Sequence, residues 1–85
     1  MTNNLQFIII ESTNSIKFFL EELIYRLFVT KNFDNDIVNQ LIKIDNDVGF
    51  ISMDILGDIE IKKLQRYYEL LKEYTNVLNK ISKEI

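Results

Sequence analysis

The stretch Ile16–Val29, IKFFLEELIYRLFV, decides how the rest of the chain is read. Wound as a helix at 100° per residue, it places Ile16, Phe19, Leu20, Leu23, Ile24 and Leu27 at the i, i+3, i+4, i+7 spacing of a core-facing stripe. Phe18, Tyr25 and Val29 form a second apolar line on roughly the opposite side. Glu21 and Phe28 border that line on one flank, Glu22 and Arg26 on the other. A helix apolar on two sides must be covered twice, by its own chain or by another.

Outward from this segment, the clearest pattern is C-terminal. Leu64, Tyr67, Leu71, Tyr74, Leu78, Ile81 and Ile85 alternate spacings of three and four, a heptad seam widened by Leu70 and Val77. Lys62, Lys63, Arg66, Lys72, Lys80 and Lys83 occupy the other positions, and Glu69 and Glu73 can pair locally with Arg66, Lys72 and Lys80. Between the two segments, Asp34 is placed to N-cap a middle helix, with Phe33 before it and Val38 after it as a hydrophobic staple. Ile37, Leu41 and Ile44, flanked by Val38 and Ile42, give that helix one apolar side. Asp45-Asn46-Asp47-Val48-Gly49 is expected to stop it, with Asn or Gly available for a left-handed cap.

Two stretches stay open. Residues 5–10 read either as a short strand or as a further helical turn, because a short apolar run has no decisive period. Ser12-Thr13-Asn14-Ser15 has the chemistry of an N-cap and favours a break there. Residues 50–57 alternate Ile51, Met53 and Ile55 with Ser52 and Asp54, as a short strand would; alternatively Ser52 or Asp54 caps the last helix. The expected fold is a mostly α, single-domain antiparallel bundle over residues 1–85, with three main helices at about 14–30, 34–45 and 58–84.

Composition narrows the chemistry. Eighty-five residues support one hydrophobic core, and a chain of this size buries only about 60% of its unfolded surface. The hydrophobic fraction of 47% and charged fraction of 27% are those of a globular protein. There is no Pro, and glycine occurs only at Gly49 and Gly57, which suits helices better than a multi-strand sheet. The absence of Cys and His removes disulfides, thiolate sites, the commonest general base and the commonest transition-metal ligand. The longest apolar run is Phe7–Ile10 and no basic residue precedes Lys17, so neither a membrane span nor a signal peptide is expected and the chain reads as cytoplasmic.

Each motif that suggests chemistry has a simpler reading. Asp45-Asn46-Asp47-Val48-Gly49-Phe50-Ile51-Ser52 has the look of the centre of a calcium loop. With Gly49 at its sixth position, however, the first and twelfth positions hold Ile44 and Ile55 where Asp and a bidentate Glu are required. Asp34/Asp36 and Asp45/Asp47 sit where caps and turns are expected, and Tyr25, Tyr67, Tyr68 and Tyr74 read as packing residues with a hydrated hydroxyl. No phosphate loop or nucleophile–base set can be assembled. No enzymatic activity, metal or cofactor is therefore expected.

Charge is unevenly spread. Residues 34–60 carry seven acids against Lys43 alone, whereas residues 61–85 carry six bases against three acids, within an overall net charge of −3. Two readings follow: the acidic middle is neutralised by the basic helix, or it steers a basic partner. Lys62, Lys63 and Arg66 could touch phosphates, but an acidic domain lacks the usual electrostatic footprint of a nucleic-acid binder.

The leading expectation is a small acidic protein that binds and neutralises or regulates a partner protein, in the manner of an immunity protein or a defence inhibitor. Its candidate contact residues are Phe18, Tyr25, Val29, Asp34, Asp36, Asp45, Asp47, Asp54 and Asp58. The alternatives are a homodimeric helical assembly subunit, closed through the first helix or the C-terminal seam, and a DNA-binding regulator. Nucleic acid and membrane are not the expected partners.

Overall fold

The structure, a computed structural model, describes residues 4–85. Three helices run up, down and up: α1 (Asn4–Thr30), α2 (Asn35–Asp54) and α3 (Ile61–Glu84). Among the described residues none lies in a strand. The rod they form measures 46 × 16 × 16 Å, close to the ~40 Å expected for 27 helical residues at 1.5 Å rise. One hydrophobic core runs through all three helices.

α3 follows its heptad. Leu64, Tyr67, Leu71, Tyr74, Leu78 and Ile81 are all buried, and Ile85 packs against their edge. The seam is thus used inside the monomer and is not free to pair with a second chain. The helix starts at Ile61, three residues later than expected, with Glu60 at its N-cap and Asp58 exposed in the preceding link.

α1 is continuous, so residues 5–10 are helical and the break expected at Ser12–Ser15 does not occur. The reason is local and tertiary together. Ile9, Thr13, Ile16, Leu20, Leu23 and Leu27 form one buried line, and a break would pull Ile9 from a site where it is 0% exposed. Thr13, the one buried polar residue among those described, donates its hydroxyl to the Ile10 carbonyl at 2.7 Å. Such back-bonding lets a cap-type residue stay within a helix. Of the expected core stripe, Ile16, Leu20, Leu23 and Leu27 are buried, Phe19 is half-buried and Ile24 is exposed.

α2 corrects the expected stop at 45–49: it runs on through Gly49 to Asp54. Ile37, Leu41, Ile44, Val48, Ile51 and Ile55 continue the alternating four-three spacing and are buried throughout. Burying a Val or Ile contributes roughly 1.5–3 kcal/mol, whereas one interior glycine costs only about 1 kcal/mol against alanine. Three core side chains beyond residue 45 therefore outweigh the weak helix formers among them. Residues 50–54 are accordingly helical, and neither Ser52 nor Asp54 caps the last helix.

The helix ends show where side chains are needed. Asp34 is the α2 N-cap, its Oδ1 accepting the backbone N–H groups of Asp36 at 2.9 Å and Ile37 at 3.2 Å. α1 ends on Lys31, whose φ of 55° is the one positive value at a non-glycine among the described residues. Asn32 N–H reaches the Leu27 carbonyl at 3.1 Å and Lys31 N–H the Phe28 carbonyl at 3.3 Å, the paired bonds of a left-handed helix stop. Neither glycine has a positive φ.

Candidate functional site

Long polar side chains fix the register of the bundle. Gln6 Nε2 donates to the Ile55 carbonyl at 2.5 Å, tying the start of α1 to the end of α2. Lys17 Nζ donates to Ser52 Oγ at 3.0 Å. Arg26 spans to α3, donating to Ser82 Oγ at 2.8 Å and to the Ser82 carbonyl at 2.9 Å.

Between α2 and α3 the ties are tyrosine hydroxyls on carboxylates. Tyr67 donates to Asp54 and Tyr74 to Asp47, one heptad apart on each helix and in antiparallel register. Lys63 Nζ completes the first pair, 2.8 Å from Asp54 and 5.7 Å from the centre of the Tyr67 ring. Hydrogen bonds from Lys63 and then Tyr67 hold the Asp54 carboxyl below its ordinary value, and the same bond to Asp54 raises Lys63. Burial, followed by the bond to Asp54, raises the Tyr67 hydroxyl; burial, followed by the bond to Asp47, raises Tyr74. The two hydroxyls expected to face water thus act within the fold.

The expected contact residues separate into groups. Asp34 serves as a helix cap, and Asp47 and Asp54 face α3. Asp36, Asp45 and Asp58 are exposed but lie on different parts of the rod. Of the basic residues at the start of α3, Lys62 and Arg66 are exposed and Lys63 holds Asp54, the one ion pair among the described residues. No cluster of acids among the described residues could hold a metal ion, including residues 45–52, which are helical.

Phe18, Tyr25 and Val29 do share a face, and it is uncovered: Phe18 is 77% exposed and the other two are similarly open. Beside this face lies a concavity that sequence reasoning did not single out. Ile24, Leu27 and Phe28 from α1, Phe33 from the link, and Val38, Leu41, Ile42 and Asp45 from α2 line a groove of about 340 Å³. Phe28 and Phe33 meet edge to face at 5.9 Å and wall one end. Asp45 is its only charged lining residue, and Glu21 joins Asp45 in the adjoining hollow, across which Lys17 reaches towards Ser52. Ile24 and Ile42, read from periodicity as a core residue and a flank, are in fact exposed groove walls. The available signal was their position at the edge of each stripe, but only the crossing of α1 and α2 turns two edges into a trough.

An apolar groove with a single carboxylate at its margin can bury an apolar side-chain row and orient it by one cationic contact. It offers no nucleophile–base pair. No helix among the described residues is long and apolar enough to cross a membrane. Comparison with family models, curated proteins and solved structures finds no match to this chain.

Proposed function

We propose that this chain is a non-enzymatic binding protein that neutralises or regulates a partner protein by docking it in the α1–α2 groove. One observation carries the reading: aromatic and aliphatic side chains of α1, the link and α2 surround an open trough instead of closing over it. Isolated exposed apolar residues are ordinary, but a contiguous, concave set of them marks an interaction surface. The net charge of −3, with Glu21 and Asp45 beside the trough, favours a partner whose apolar row is flanked by basic residues.

The test is affinity capture from extracts of the source cell with the wild-type chain and with Phe28→Glu, followed by reconstitution from purified components. A basic partner that binds the wild type, is lost with Phe28→Glu and weakens with Asp45→Asn and added salt supports the reading. Equal capture by wild type and Phe28→Glu sinks it.

A further inference from the structure

The outer face of α1 remains unassigned by the groove. Phe7, Phe18, Tyr25 and Val29 are 56%, 77%, 69% and 62% exposed and lie along one line of the helix, opposite the buried line of Ile9, Leu20 and Leu27. Glu11, Asn14 and Glu22, also exposed, fill the turns between them. We infer that this face is a homodimer interface in which two copies of α1 pack antiparallel about a two-fold axis at Phe18.

The residue order supports that register. Antiparallel pairing centred on residue 18 sets Phe18 against its own copy and Phe7 against Val29. Glu11 then faces Tyr25, and Asn14 faces Glu22. In this register a donor thus stands opposite each acid on the line. Glu11 with Tyr25 would repeat the hydroxyl–carboxylate bond that the chain already makes twice between α2 and α3. Parallel pairing would instead stack Glu11 on Glu11 and Glu22 on Glu22, which like-charge repulsion disfavours.

The area places such a dimer at the small end of the range. At ~150–250 Å² per aromatic side chain, the exposed parts of Phe7, Phe18 and Tyr25 amount to roughly 400 Å² per copy. Val29 and the intervening polar residues bring two copies towards the ~1,200 Å² at which specific interfaces begin. The two-fold uses the face of α1 turned away from the core, so it requires no rearrangement of the bundle. The inference is independent of the groove: it needs only the outer line of α1.

The chain contains no cysteine, which makes register directly testable. Sedimentation of the full chain should give a species of twice 10.1 kDa, dissociating on the order of 1–100 µM as interfaces at the small end do. Under mild oxidation Phe18→Cys should cross-link to itself. Glu11→Cys should not, but should cross-link when mixed with Tyr25→Cys. Phe18→Glu should weaken the dimer by about 30-fold or more while leaving helical content unchanged. A monomer at several hundred µM overturns the inference, as does preferential Glu11→Cys self-cross-linking, which reports parallel pairing. Partner capture by Phe28→Glu is a separate readout, so failure of the dimer and failure of the groove reading are distinguishable.

Discussion

α3 and α1 are parallel neighbours of similar length, yet they treat their apolar residues differently. α3 concentrates them on one stripe and buries it, leaving Ile61 and Tyr68 as its large exposed apolar side chains. α1 exposes seven: Phe7, Ile8, Phe18, Ile24, Tyr25, Phe28 and Val29. Both helices face the same core, so the contrast is not one of stability. An 85-residue bundle has only two other helices to set against α1, and they cover one side of it. α3 is therefore an element completed within the chain, whereas α1 keeps an open apolar side. The distinction predicts that substitutions on α3 act on folding and substitutions on the outer α1 act on association.

The largest expected effect tests the closed side. Leu78 is 0% exposed, and Leu78→Ala should lower stability by about 2–5 kcal/mol in a denaturant melt, a large share of what so small a domain has. A loss below about 1 kcal/mol would contradict the tight packing of α3.

Next come the hydroxyl–carboxylate ties. Tyr74→Phe should cost about 1 kcal/mol, because it removes one hydrogen bond to a partly buried carboxylate. The pH profile follows from the signs. Tyr67 and Tyr74 are raised on folding, so their contribution is fully present below the ordinary 10.0 and is lost as pH climbs through the raised values. Asp54 is lowered, so its contribution is present above 3.8 and is lost as pH falls through the lowered value. Thermal midpoints should therefore decline at both extremes, and Tyr74→Phe should flatten the alkaline limb while leaving the acid limb in place.

Backbone swaps should run the other way. Lys31 holds a left-handed position that suits glycine, while Gly49 sits within α2 where an added Cβ meets nothing within 4 Å. Lys31→Gly and Gly49→Ala should each stabilise the fold by about 0.5–1 kcal/mol, read as a rise in denaturation midpoint. The smallest effect belongs to the open side. Phe18 is 77% exposed, so Phe18→Ser should shift monomer stability by no more than ~0.5 kcal/mol, measured well below micromolar concentration, while weakening the proposed dimer. A large loss there would mean that α1 is covered within its own chain after all.

How much was legible before the coordinates depended on whether one stripe or two was at issue. The α3 seam could be read outright, since its apolar residues keep one heptad line and charged and polar residues dominate the opposite side of that helix. The Asp34 cap was legible because its chemistry is local. The far half of α2 was not legible, for the opposite reason. Asp45, Asn46, Asp47 and Gly49 favour a stop locally, but Val48, Ile51 and Ile55 are held by a core that no window of sequence contains. Ser12–Ser15 misled in the same way, since Thr13 finds its acceptor one turn back and its place in the core from α1's neighbours. The pairing of Asp47 and Asp54 with Tyr74 and Tyr67 was hidden because a stop at 45–49 takes both carboxylates off the helix.

Taken alone, the chain determined its helical class, the residues α3 would bury, and the two-sidedness of α1, because each follows from spacing along a single helix. Tertiary structure decided where α2 ends, which carboxylates are held internally, and that Ile24, Phe28, Phe33 and Ile42 border one trough. Those are properties of pairs of helices, and their energies arise only when distant segments meet and share the exclusion of water.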